Sequence, residues 1–540
     1  MPRWTDRALS LTLALLVTPG LTAAQDLGIG APMSASDWLS GAGPARPPST
    51  AWRPGDPLPP DASRRRPAAP PARPTSAPPR PVATTAAVPS VGVTRLSDGN
   101  PDSKGAIAAG AAHLPADLWG PAPADRLAEV ISATQPRLAA TRSLFQRMLT
   151  AQLAPPGGGA QGDEGRLFLA RVDRLIALGR VPDAEALLLS AGTGDARRFA
   201  RSFDVALLRG DAMAVCQTIA DRPGLAPGLA ARVYCLAQAG DWPAAALTLH
   251  GARDGALIPP QTVALLERFL DDSTADLTTP LPDPQTVTPL EFRLFEAIGQ
   301  PLATPELPLA FAWADLAGNP GWKARIEAAE RLARAAALDD LAVLGDSYLD
   351  RQPAASGGPW DRAAAYQRID AALAAGDLTA LSAELPRALP LFAQAGLTGA
   401  LARLVATRLP GAGLDGPAAE IAAHLRLLAG VPVTETDGLS EATVALVVLA
   451  QAGPAGPLPP GSPAAAYERA LAATAVAEPP PGGRGMELLA AMADVDAGLD
   501  GDTARAAAGL RRMVELGQPD DARRAAVELL LADQMGGRGR

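Results

Sequence analysis

Few residues in this 540-residue chain are of types that do chemistry. There are two cysteines, Cys216 and Cys235, both inside AVCQTIADRPGLAPGLAARVYCLAQAGDW, and three scattered histidines, His113, His250 and His424. A redox pair favours C-x-x-C, and these cysteines stand much farther apart. A structural zinc site takes four ligands, and the isolated histidines do not complete one. A disulfide needs Cα atoms about 4.4–6.8 Å apart. DRPGLAPG, residues 221–228, reads as a turn, and the midpoint between the cysteines falls inside it. In an antiparallel hairpin, residues equidistant from the turn lie side by side. A structural disulfide between Cys216 and Cys235 is therefore expected, provided both side chains face inward. Two free buried thiols are the other reading.

The remaining chemistry-bearing patterns are weaker. Asp271-Asp272 and Asp339-Asp340 have the residue types of a glycosidase acid and base, but such pairs are far commoner at helix ends and on surfaces. No G-x-S-x-G, H-E-x-x-H or G-x-x-x-x-G-K-[ST] is present. PPGGGAQGDEG near Gly157 looks like a phosphate loop but lacks the lysine and a following strand and reads as a linker, as does EPPPGGRG near Pro479. No catalytic, metal or cofactor-binding residue is assigned, no cofactor is expected, and the chain is read as a non-enzyme. Trp313, Trp322 and Trp360, with Phe311 and Tyr348 nearby, concentrate aromatics in a chain with only 4% of them. They are either core anchors or a partner-binding patch.

Most of the sequence must form the elements that position these residues. ADRLAEVISATQPRLAATRSLFQRMLTAQL places Leu127, Val130, Ile131 and Leu138 at helical intervals, and GRLFLARVDRLIALG does the same with Leu167, Val172, Leu175 and Ile176. Period-two runs rich in Val, Ile and Thr are scarce, so the fold class is all-α. LIALGRVPDAEALLL, DVALLRGDAMAVCQTI and YCLAQAGDWPAAALTL repeat one phrase, with Gly179, Gly210 and Gly240 at helix ends. DAALAAGDLTALSAEL repeats it later with Gly376. Glycine suits the left-handed residue that closes a helix, and the following Asp211, Asp241 or Asp377 can cap the next one. Each unit is a helix pair that buries its apolar face only by stacking on its neighbours, which predicts an α-solenoid.

The phrase A-x-x-x-G-D-x-x-x-A resembles the inter-helix part of tetratricopeptide repeats, clearly over residues 165–251 and faintly over 363–399. The spacing is shorter than the standard 34 residues and most of the expected aromatics are missing. The wider sequence, including PLAFAWADLAGNPGWKARIEAAERLARA, is similar to uncharacterised exported alphaproteobacterial proteins, a resemblance that implies no activity.

The ends suggest a compartment. Arg3 and Arg7, an apolar run from Ala8 to Val17, Pro19-Gly20 and small residues up to Ala24 have the order of a signal peptide, expected to be cleaved after about Ala24. The apolar run is shorter than a spanning helix needs, and no later segment is long enough. An exported, periplasmic protein without a transmembrane segment is expected, in a compartment where disulfides form. Residues 25–112 form a Pro/Arg-rich arm with too little apolar surface to fold. Its Arg64, Arg65 and Arg66 offer a weak contact for anionic envelope polymers, the alternative being a passive spacer. The helical domain is assigned to 113–540, with a subdivision near 272–288. On this reading a chain beginning near Pro121 melts like the mature chain. The leader carries +1 and residues 25–95 carry +4, which leaves −14 of the net −9 on the body, so nucleic acid is not expected as a partner. Arg greatly outnumbers Lys, with only Lys104 and Lys323 present, which reads as the coding bias of a GC-rich genome. The functional expectation is a non-enzymatic scaffold or adaptor presenting a helical-repeat surface to a cell-envelope protein. The alternative is a cell-wall or polysaccharide-processing enzyme, or its regulator, with an unrecognised site.

Overall fold

The computed structural model describes residues 99–534, apart from 159–163, 193, 271–279, 452–460, 477–479 and 481. Every described residue lies within one compact unit, Gly92–Arg540. The leader, the Arg64–Arg66 cluster and the acidic pair Asp271-Asp272 lie outside the described residues.

Among the described residues there are twenty-two α-helices and two short strands. The first third holds α1 (Ala124–Ala133), α2 (Ala139–Thr150), α3 (Arg166–Ala177), α4 (Val181–Ala191), α5 (Ala196–Arg209), α6 (Ala212–Asp221), α7 (Leu229–Gln238) and α8 (Trp242–Asp254). The middle holds α9 (Pro260–Leu270), α10 (Pro289–Ala297), α11 (Ala312–Ala317), α12 (Trp322–Arg334), α13 (Ala342–Leu349), α14 (Pro359–Ala375), α15 (Leu378–Gln394) and α16 (Thr398–Val405). The chain continues through α17 (Gly416–Leu428), α18 (Glu441–Ala450), α19 (Pro463–Leu471), α20 (Arg484–Asp496), α21 (Thr503–Glu515) and α22 (Pro519–Gln534). Strands β1 (Ile107–Ala108) and β2 (Ala151–Gln152) pair in parallel.

Local chemistry sets the helix boundaries. The run from Ala124 to Leu153 is not one helix, because Pro136 lacks an N–H and disfavours helical geometry in the residue before it. Accordingly α1 stops at Ala133 and α2 starts at Ala139. The repeated glycines do what the phrase implies. Gly210 sits at φ 79°, and the Asp211 amide reaches back to the Ala206 carbonyl at 2.9 Å. Gly376 does the same at φ 64°, with Asp377 donating to Ala372 at 3.0 Å. A side chain at either position would be strained, which is why the turns are glycine. Asp241 then caps α8 through the Ala244 amide at 3.1 Å, and Asp377 caps α15 through Ala380 at 2.9 Å, while Asp211 makes no such side-chain bond. These turns join α3 to α4, α5 to α6, α7 to α8 and α14 to α15. Consecutive helices pack on each other, and α3 also reaches α5, so the pairs stack. Fully buried Ala184 and Ala245 let the second helices approach closely. The result is an all-α arrangement of short, paired helices, consistent with an α-solenoid.

Two features were not apparent from the pattern. Residues 99–112, assigned by composition to the arm, are built into the helical body. Asp102 is buried and its carboxylate accepts from the Gly165 and Phe168 amides at 3.0 and 2.7 Å, capping α3. Ala112 is fully buried, and Ala106 donates to the Thr150 carbonyl at 2.8 Å. The second feature is that the chain returns on itself. Helix α22 packs on α2, and α20 packs on both α1 and α2. One apolar core therefore joins residues such as Leu118, Leu144 and Phe168 to Leu488, Leu510 and Ala526. Among the described residues two further large cores lie within 312–425 and 199–295, and a small one joins Ala423, Val433 and Val447. Helices α9 and α10 pack directly against each other on either side of the proposed subdivision. EPPPGGRG, read as a linker, ends in a close contact instead. The Gly485 amide donates to the Leu118 carbonyl at 2.8 Å, and a Cβ there would stand 2.7 Å from the Trp119 ring.

The arginine excess also has a structural use. Guanidinium groups are tied to main-chain carbonyls at helix C-termini, where the last turn leaves acceptors without partners. Arg293 reaches Leu207 at the end of α5, Arg334 reaches Ala395 after α15, and Arg142 reaches Arg334 at the end of α12, at 2.7, 2.6 and 2.9 Å. A lysine ammonium is a point donor and lacks the fork that spans two such carbonyls.

Candidate functional site

Cys216 and Cys235 form a disulfide with Cα atoms 4.9 Å apart. The hairpin is the expected one, α6 followed by a short 3-10 turn at Pro223–Leu225 and then α7. Helix α6 closes one glycine-turn pair and α7 opens the next, so the bridge links consecutive pairs. Both cysteines are buried beside Ile219, Ala231 and Val233. Closing a loop of this length stabilises by roughly 3 kcal/mol in the chain-entropy model. Replacing both cysteines with alanine is expected to lower stability by about that amount, read from urea unfolding. An unchanged midpoint would show that the hairpin is held by packing alone.

The three tryptophans do not act as one group. Trp313 is half-buried and donates its indole N–H to the Gly179 carbonyl at 2.6 Å, tying α11 to the turn between α3 and α4. Trp322 donates to Ser347 at 2.6 Å, and its ring lies 4.8 Å from that of Trp360. Trp322 and Trp360 are half-buried, while Phe311 and Tyr348 belong to the core. No sequence motif marks what anchors this region. Glu330, buried in α12, accepts two bonds from Arg362 and one from the Tyr348 hydroxyl at 2.8 Å. Burial, reinforced by Glu330, holds the Tyr348 phenol well above its ordinary value.

Of the acidic and histidine candidates, Asp339, Asp340 and His424 have structural partners. Asp339 pairs with Arg180 at 2.6 Å, and Asp340 accepts from the Ala342 amide at 2.8 Å at the start of α13. His424 lies 2.9 Å from the Thr443 hydroxyl, and burial lowers its pKa. Among the described residues no group of three or more His, Cys, Asp or Glu could hold a metal ion, and no helix is long and apolar enough to cross a membrane.

The feature that draws distant segments together is where the chain closes. The first turn of α2 has no local side-chain cap. Two carboxylates from the far end of the sequence supply it. Asp496 accepts from the Arg137 and Leu138 amides at 2.7 and 3.3 Å and from the Thr141 hydroxyl at 3.1 Å. Glu528 accepts from the Ala139 and Ala140 amides at 2.7 and 2.9 Å. Negative charge at a helix N-terminus is favourable. Burial nevertheless outweighs it and pushes the Glu528 carboxyl up to about 7. Burial similarly raises Asp204, on α5, to about 6. At Glu528, residues of α2, α3, α16 and α22 and the loops after α12 and α17 line a partly open cavity of about 580 Å³.

These shifts carry a sign. A carboxyl whose folded pKa exceeds its unfolded value binds its proton more tightly when folded. Its stabilising contribution is complete below the unfolded value, near 4.5 for Glu528, and is lost as pH rises through about 7. The protein is expected to melt higher at pH 5.5 than at pH 7.5, and Glu528→Gln should flatten the profile by about 1–2 kcal/mol. His424 opposes this trend, since its lowered pKa costs stability on acidification. Thermal melts across that range check the sign, and a wild-type profile rising with pH would contradict it.

The fold and its closure define the class, an all-helical protein of stacked short helix pairs, similar to tetratricopeptide-type repeats. No protein-family model, curated protein or solved structure matches the chain.

Proposed function

We propose that the protein is a non-enzymatic scaffold that docks a cell-envelope protein on its repeat pairs, in the periplasm after removal of the leader. The observation that carries this reading is a series of large apolar side chains left in solvent. Leu189 on α4, Met213 on α6 and Leu247 on α8 are 71%, 65% and 75% exposed. They fall on the second helix of three consecutive pairs, beside the disulfide-linked hairpin. Isolated exposed apolar residues are ordinary, but a recurrence at the same element of successive repeats is what a partner-binding surface requires. Exposed Trp242 and Leu257 lie in the same stretch. The disulfide supports an oxidising compartment. Trp322 and Trp360, half-buried against each other, are a second, smaller contact on this reading.

The test is quantitative crosslinking in cells with the full-length tagged protein and with a Leu189→Ser, Met213→Ser, Leu247→Ser variant. One envelope protein should be captured by the parent and lost in the variant, with the melting temperature unchanged. Equal capture by both proteins would remove the repeat surface as the docking site.

A further inference from the structure

The cavity at the closure is lined by more arginine than its structural duties neutralise. Arg180 is paired with Asp183 and Asp339, and Arg524 with Asp521. Arg142, Arg174 and Arg403 also line it, and among the described residues none of the three has an ion pair within 4 Å. Each is held by main-chain oxygens instead. Arg142 uses its Nε and Nη1 on Pro136 and Arg334, at 3.0 and 2.9 Å. Arg403 uses Nη1 and Nη2 on Leu338 and Asp339, at 3.3 and 2.8 Å. Arg174 uses Nη2 on Thr134, and its Nε is buried with no partner at all. A guanidinium has five N–H donors, so all three retain unspent ones. A buried donor without a partner is costly, as at the Arg174 Nε, and positive charge concentrated along one cavity is unfavourable. An anion entering the cavity would relieve both penalties. The volume suits a small molecule.

We propose that this cavity is a binding site for a small, multiply charged oxyanion, held by Arg142, Arg174 and Arg403. Phosphoryl and polycarboxylate ligands share the chemistry that arginine forks recognise. The fixed carbonyl contacts hold the three guanidinium groups in place before the ligand arrives, which lowers the ordering cost of binding. Residues contributed by α2, α3 and α16 must all be in register for the site to exist. Ligand binding would therefore strengthen the contact of α16 with α2 and α3, distinct from the apolar docking surface on α4, α6 and α8.

Calorimetric titration of the full mature protein at low salt, with pyrophosphate and separately with citrate, tests the proposal. One saturable site per chain is expected for at least one of them, and which one binds identifies the ligand class. Arg174→Gln and Arg403→Gln should each weaken binding at least about 10-fold, the loss of one charge-assisted contact, while Arg505→Gln at an exposed surface pair should leave it unchanged. Melting without ligand identifies any variant that fails to fold, and two independent arginines keep the result interpretable. Failure of both anions to bind below about 1 mM, or equal affinity in the folded Arg174 and Arg403 variants, would overturn the site.

Discussion

A chain beginning at Pro121 is expected to melt far below one beginning at Gly99, and the chain from Gly99 to melt with the mature protein. This reverses what composition suggests, and the reason is local. Leu118 and Trp119 are fully buried in the core that joins the two ends of the body, with Ala112 and Leu114 beside them. Burying one large apolar side chain stabilises by about 1.5–3 kcal/mol, so the two largest alone contribute about 3–6 kcal/mol. The truncation also removes the Asp102 cap on α3 and the strand partner of β2. The segment approaches β2 so closely that a Cβ at Gly105 would lie 2.1 Å from the Gln152 nitrogen. Circular dichroism melts of the three chains decide the matter. Coincident melting of the Pro121 chain would mean that this packing contributes nothing to stability.

Arg171→Met is expected to cost about 3–5 kcal/mol, the largest effect of any single substitution considered. Arg171 is completely buried in α3. Its Nε donates to Leu149 at 2.7 Å, Nη2 to Ala151 at 2.7 Å and Nη1 to Lys104 at 2.9 Å. Burial lowers its pKa to about 10, with the Asp102 carboxylate opposing that shift, so the group stays charged at neutral pH. Methionine would fill much of the volume but leave three carbonyls without this donor, those of buried Leu149 and Ala151 and of half-buried Lys104, and an unmatched buried polar group costs its full desolvation. Lysine would fare little better, because one ammonium cannot serve three carbonyls set around a planar fork. Exposed Arg126, paired with Glu129 on the surface of α1, is the control, and Arg126→Met should change stability by less than about 0.5 kcal/mol. Urea unfolding of both variants measures the difference. A small loss for Arg171→Met would show that water replaces the guanidinium.

Both predictions concern residues whose importance the sequence conceals. Asp102 stands in PDSKG, a polar stretch that looks like the end of a Pro-rich arm. Arg171 stands in an amphipathic helix where arginine would ordinarily face water. Nothing within a turn of either residue shows that they meet. The same holds for Asp496 and Glu528, which read as solvated acids on C-terminal helices yet cap a helix more than 350 positions earlier. The cavity arginines likewise come from separate segments, Arg403 lying far along the chain from Arg142 and Arg174, so the candidate anion site was not legible. The candidate docking surface was partly legible, because the repeated phrase marks the pairs and so identifies their second helices. Which residues on those helices remain exposed depends on what packs against them.

The sequence by itself determined what short-range physics controls. Helical spacing of apolar residues, left-handed glycines between paired helices, the proline break after α1 and the hairpin that brings Cys216 to Cys235 all act within a few turns. Only the tertiary structure decided where the body begins, that its last helices return to its first, and which charged groups are buried by that return. These are contacts between residues tens to hundreds of positions apart. Their identity is fixed by how many helix pairs stack and at what angles, quantities to which no single stretch of sequence corresponds.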